Sequence, residues 1–237
     1  MNTNRTLLAL VALTGIIAIG GYFLWPNKIQ VINKSENPAK DTPQTIKPSN
    51  ISKKTLPEKI DIHIQPLGDF SQAYTQEVAT RLKAMYSGNV IVNSPKPLPN
   101  NARNKTKTRY RADSLLIYLN AQTRDENLTI GLTNKDISHT KRNESGDILV
   151  DDWGIMGLGY QPGKSCVAST HRLKGHNQLE KLFKVAIHEL GHTQGLKHCP
   201  VKGCLMMDAN GKDHFDELEG FCAKCKAVLI GAGWNLN

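Results

Sequence analysis

Eleven residues near the C-terminal end constrain this chain more than any other stretch: His188-Glu189-Leu190-Gly191-His192-Thr193-Gln194-Gly195-Leu196-Lys197-His198. They fit the spacing H-E-x-x-H-x-x-G-x-x-H. Residues four apart on an α-helix stand about one turn apart on one face, so His188 and His192 reach the same ion from a single helix. Glycine readily takes the left-handed conformation that ends a helix. Gly195 therefore lets the chain turn back and deliver His198 as a third nitrogen. Three protein ligands leave the fourth corner of a tetrahedral zinc for water, which marks a catalytic rather than a structural site. Glu189 is placed to act as general base on that water. The pattern implies a zinc-dependent hydrolase.

The surrounding sequence agrees that the motif is helical. Asn177 is a suitable N-cap, and no proline follows until Pro200. At roughly 100° per residue, Leu179, Leu182, Phe183, Ala186, Ile187 and Leu190 fall in one stripe, with His188 and His192 on roughly the opposite face. Such a helix buries its apolar side and turns its histidines towards a cleft. An isolated H-x-x-x-H would read better as two ordinary surface or core histidines. Glu189, Gly195 and His198 in register make that bland reading the poorer one.

Cys199 follows His198 directly, Cys204 comes after four more residues, and Cys222 and Cys225 form C-x2-C. These spacings suit a closed site of four thiolates around a second zinc. In an exported chain the same four cysteines could instead form two disulfides. Cys166, the fifth, reads as a buried inert thiol. Met206 lies two residues beyond Cys204; core filler is its plain reading, with Met207 a competitor for any special role.

The string from His188 to Met206, H-E-x-x-H-x-x-G-x-x-H-C-x4-C-x-M, followed by C-x-x-C, resembles the archaemetzincin family of zinc peptidases. The likeness extends more weakly upstream to about Ile60, through Ile60 to Gly68 and Leu132 to Ile137, and covers about three quarters of the chain. Fifteen residues separate Met206 from Cys222, about two fewer than the family pattern. The resemblance implies a catalytic zinc on His188, His192 and His198, with Glu189 as base. It implies a structural zinc on Cys199, Cys204, Cys222 and Cys225, and a methionine turn at Met206 beneath the catalytic metal. It also implies an α+β, metzincin-like mixed twisted sheet with an active-site helix, and an edge strand, Cys166 to Ser169, along which peptide substrates align.

Leu7 to Trp25 is almost unbroken apolar sequence, long enough to cross a hydrocarbon core. Residues 1–27 read as a signal-anchor or a cleavable export signal, the length favouring an anchor. Residues 28–58, rich in Lys, Asn, Ser, Thr and Pro, read as a flexible stalk. Residues 59–237 are then the peptidase domain, long enough for one core. This order predicts a membrane-anchored or exported protein of the cell envelope with its domain expected on the extracytoplasmic side, although Arg5 on one flank and Lys28, Lys34 and Lys40 on the other leave the orientation unfixed by charge. Within the domain, strands are expected at 60–64, 89–93, 128–132, 155–160 and 166–169. Helices are expected through Phe70 to Met85, from about Arg109 to Ala121, and at the motif.

Net charge is +9, and Arg103, Lys105, Lys107, Arg109 and Arg111 alternate along one segment. No aromatic platform or nucleic-acid motif accompanies them, so a solvated loop and helix start is the better reading and nucleic acid is not an expected partner. The expected partners are a peptide or protein substrate and, through the N-terminus, a membrane; the domain is expected to be a monomer. Neither His176 nor Tyr160 is singled out as a stabiliser of the transition state. Two rivals stand beside the peptidase: a non-catalytic, zinc-dependent peptide-binding module, and a zinc amidase acting on a non-protein substrate.

Overall fold

The computed structural model describes residues 60–124, 126–208 and 214–236. The expected membrane segment and stalk lie outside the described residues, among which no helix is long and apolar enough to cross a membrane.

Chain order runs β1 (Ile62–Pro66), α1 (Gln72–Met85), β2 (Val90–Val92), β3 (Tyr110–Arg111), α2 (Ala112–Asn120), β4 (Leu128–Thr133), β5 (Ile137–Arg142), β6 (Ile148–Ile155), β7 (Gly157–Gly159), β8 (Ser165–Ser169), α3 (Gln178–Thr193) and α4 (Ala223–Gly231). The main sheet has the order β2-β1-β4-β8-β7, parallel throughout except for antiparallel β7. Side chains alternate across a strand, and the core divides accordingly. Ile62, Ile64, Leu128, Ile130, Leu132, Cys166 and Ala168 join the cluster that contains α1 and α3. Val167, with the opposite parity, joins Leu115, Leu116 and Leu119 of α2. The sheet is therefore covered on both faces, which is why its central strands are buried along their whole length.

Three sequence expectations need correction. The second helix begins at Ala112, because Tyr110 and Arg111 pair with Ile137 and Ser138 as a short strand. Two members of the basic run are tied down there: Arg109 pairs with Asp136 at 2.7 Å and Asp152 at 3.1 Å, and Arg111 with Asp113 at 3.2 Å. Secondly, β5 and β6 form an antiparallel hairpin and, with β3, a separate three-stranded sheet. Its Ser-His-Thr-Lys-Arg and Asp-Asp stretches lack the apolar alternation that announces a half-buried strand. Thirdly, Cys166–Ser169 is not an edge. It lies between β4 and β7, and the edge beside α3 is Gly157–Gly159, part of the strand expected at 155–160.

Candidate active site

The active-site helix α3 places its apolar stripe as its period demands: Leu182, Phe183, Ala186, Ile187 and Leu190 are buried and Leu179 packs against them. Asn177 is the N-cap but sits in the left-handed region at φ 59° with no side-chain capping bond. The Gln178 side chain instead turns back to donate to the carbonyls of Thr170 and Leu173.

At the other end, Gly195 has φ +87°. Its N–H donates to the His192 carbonyl at 2.8 Å, and the Leu196 N–H to the Gly191 carbonyl at 3.1 Å. These two bonds make a Schellman cap, which only a residue tolerant of positive φ completes without strain. The cap points the Leu196 carbonyl back at His192 Nδ1, 2.7 Å away. His188 Nδ1 lies 2.6 Å from the Leu205 carbonyl. Each carbonyl accepts a hydrogen bond, so each Nδ1 carries the proton and each Nε2 presents a lone pair. The two Nε2 atoms face each other at 3.1 Å. His198 completes the group, its ring centroid 5.4 Å from that of His188 and 5.0 Å from that of His192. One nitrogen from each ring lies within 4.8 Å of the others. Burial lowers the pKa of His188 to about 4 and lowers that of His192, so both are neutral, the form that ligates metal.

Met206 is fully buried against the same helix. A Cβ on Gly191 would come 2.6 Å from its Sδ, so the glycine between the two helical histidines is what lets the methionine approach the helix. Met207 instead lines the cleft.

Glu189 is buried and has no hydrogen bond or ion pair with any described residue. Burial alone raises its pKa to about 8. It opens into a cleft of about 630 Å³ lined also by the three histidines, β7 and Lys184. Neither Tyr160 nor His176 lines that cleft. Cys166 is fully buried, and burial raises its thiol pKa well above the ordinary value.

The other four cysteines are free and converge, their sulfurs all within 4.8 Å. Cys199 and Cys222 are 3.7 Å apart and Cys204 and Cys225 3.8 Å, beyond the about 2.05 Å of a disulfide. Sulfurs bound tetrahedrally at about 2.3 Å from zinc would stand about 3.8 Å apart, so the donor set fits that ion. Imidazole nitrogens at about 2.0–2.1 Å from zinc would stand about 3.3 Å apart, close to the 3.1 Å between His188 and His192. A backbone N–H bond from Cys225 helps to lower the Cys222 pKa to about 7, whereas burial raises Cys204 and Cys225. Cys199 and Met206 are joined by a backbone bond of 2.8 Å, and Leu205 is held by the Gly220 carbonyl at the same distance. The cysteine cluster thus braces the loop that orients His188.

Two neutral imidazoles on one helix, a third beyond its capped end, an unpartnered buried carboxyl and a methionine buried against the helix are the site of a metal-dependent hydrolase built on a mixed sheet. The profile of peptidase family M54 matches residues 72–230, and the chain belongs to that family. It is a zinc metallopeptidase. Archaemetzincin from Natronomonas pharaonis is 27% identical over 182 residues, covering 71% of this chain and 99% of that one. Among solved structures, archaemetzincin from Archaeoglobus fulgidus, complexed with malonate, superposes with a TM-score of 0.60 at 25% identity, over 71% of this chain and 99% of that one. Archaemetzincin from Methanopyrus kandleri does so at 0.56 and 26%, over 73% and 95%.

Proposed function

We propose that this metallopeptidase hydrolyses peptide bonds with Glu189 as general base, that His188, His192 and His198 hold the catalytic zinc, and that Cys199, Cys204, Cys222 and Cys225 hold a second, structural zinc. The observation that carries the reading is the Glu189 carboxyl, buried beside the histidines and without a protein partner. A carboxyl held in a desolvated place without a protein partner is costly, and a module that merely binds peptide has no use for one here. When bound at the histidines, zinc supplies Lewis acidity to water and to the scissile carbonyl.

Burial raises the Glu189 carboxyl to about 8, and a cation held by the histidines would favour its ionised form. A carboxyl raised above the ordinary range is suited both to accept a proton and to return it. Glu189 accepts the proton of the attacking water and delivers it to the leaving amine. Strand β7 offers its free edge to an extended peptide, whose main chain adds to the sheet as a further strand.

The apolar run Leu7 to Trp25 supports a domain tethered at, or exported across, a membrane, on its extracytoplasmic side. The test of the chemistry is a diverse peptide library exposed to the zinc-loaded chain and to Glu189→Ala. Cleavage by the parent and none by the variant, at equal zinc content, is expected. Near-parental turnover in the variant would remove Glu189 from the mechanism.

A further inference from the structure

Lys184 stands one helical turn before His188 on α3 and so shares its face. It lines the cleft beside Phe215 and Leu218. The side chain is half-buried, and its ammonium donates to the carbonyls of Phe215 and Leu218, both at 2.8 Å. An ammonium has three donors, and these two acceptors carry no charge. Among the described residues no carboxylate pairs with Lys184.

The other cations of the cleft are already engaged. Arg172 makes two bonds to Asp136, at 2.7 and 2.9 Å, and Lys141 lies 4.6 Å from the ring centroid of Trp153. A charge drawn partly out of water without a counter-charge is unfavourable, and an anion arriving from the cleft relieves it with a charge-assisted hydrogen bond. Four residues of helix advance about 6 Å, so a group close to the reacting bond reaches this ammonium.

We propose that Lys184 is a specificity-determining residue that takes a carboxylate of the bound peptide, so that the enzyme prefers acidic chains; this rests on the peptidase reading above. The carboxylate is either a Glu or Asp side chain or the free C-terminus of a short substrate.

The test uses the full zinc-loaded chain and peptide pairs that differ only in Glu against Gln, or in a free against an amidated C-terminus. Two readouts run in parallel: kcat/KM, and Kd by fluorescence anisotropy in a Glu189→Gln background. Lys184→Gln keeps an amide donor for the two carbonyls without the charge, and Lys184→Arg keeps the charge. The parent is expected to favour one carboxylate pair by about tenfold, equivalent to about 1.4 kcal/mol, in KM and Kd rather than kcat. Lys184→Gln should erase that preference and Lys184→Arg retain it. The pair that shows the preference identifies the source of the carboxylate.

An equal loss on all peptides in Lys184→Gln would make the residue a clamp for the 215–218 turn and overturn the proposal. So would a parent without preference in either readout. Acid-selective binding that depends on Lys184, without hydrolysis of any peptide, would uphold the proposal and sink the peptidase reading instead.

Discussion

Gly157→Ala tests how closely the edge strand holds the base. A Cβ built on Gly157 falls 2.5 Å from Glu189 Oε1, 2.7 Å from its Cγ and 2.8 Å from Val185 Cγ1. Ordinary carbon contacts begin near 3.5 Å, so either the carboxyl or the strand must yield by about 1 Å. Overpacking of this kind costs about 1–3 kcal/mol of stability. A misplacement of about 1 Å at a catalytic group costs on the order of a hundredfold in rate. None of the three nearest atoms belongs to a histidine, so the metal group should remain intact. The assay compares kcat/KM on a cleaved peptide with zinc per chain and the thermal midpoint. Gly231→Ala, whose Cβ would meet nothing within 4 Å, serves as the control. We expect Gly157→Ala to keep its zinc, lose a few degrees and drop about a hundredfold in kcat/KM. Full activity with full zinc would show that the position of Glu189 does not limit the chemistry.

Other perturbations separate the remaining parts. His198→Ala should weaken zinc retention at the catalytic site by more than the about 10–100-fold typical of losing an outer-shell partner, and unchanged zinc content would exclude it as a ligand. Cys225→Ser should remove one zinc per chain and lower the melting temperature, since a structural zinc contributes folding energy directly; an unaltered zinc count would refute the four-thiolate site. In the zinc-free chain, burial sets Glu189 at about 8 against an ordinary 4.5. A carboxyl raised on folding contributes stability that is full below the unfolded value and lost as pH climbs through the folded one. Between about pH 6.5 and about pH 8 the urea midpoints of the zinc-free parent should therefore fall relative to those of Glu189→Gln, because the Cys222 thiol, whose lowered pKa works in the opposite sense, is common to both. Parallel slopes in the two proteins would contradict the assignment.

How much of this was legible in the sequence varied with the range of the interaction. The α3 stripe and the His188–His192 pair obey a local period, and Gly195 announces its turn by being glycine, so the helix and the return of the chain could be read directly. His198 needed only the length of that turn. The β5–β6 hairpin escapes the reading because Ser138 to Arg142 is polar and Ile148-Leu149-Val150 runs apolar without alternation, while β7 lies within the expected strand at 155–160 and only its place at the sheet edge depends on long-range pairing. The approach of β7 to Glu189, the seating of Met206 against Gly191 and the bonds from Lys184 to the 215–218 turn are contacts between distant segments. No spacing rule encodes them.

The two walls of the cleft differ in what substitution can do to them. On the β7 side the wall facing α3 is main chain, because neither Gly157 nor Gly159 has room for a side chain: a Cβ on Gly159 would lie 2.7 Å from the Glu189 carbonyl oxygen. That wall can read the course of a peptide backbone but has no side chains there with which to read its residues. Preference among sequences has to be written by side chains elsewhere in the cleft, among them Lys184, Phe215 and Leu218, which stand clear of the histidines' hydrogen-bond partners. A lineage could exchange those residues and alter which chains are cut while leaving untouched the parts that do the cutting.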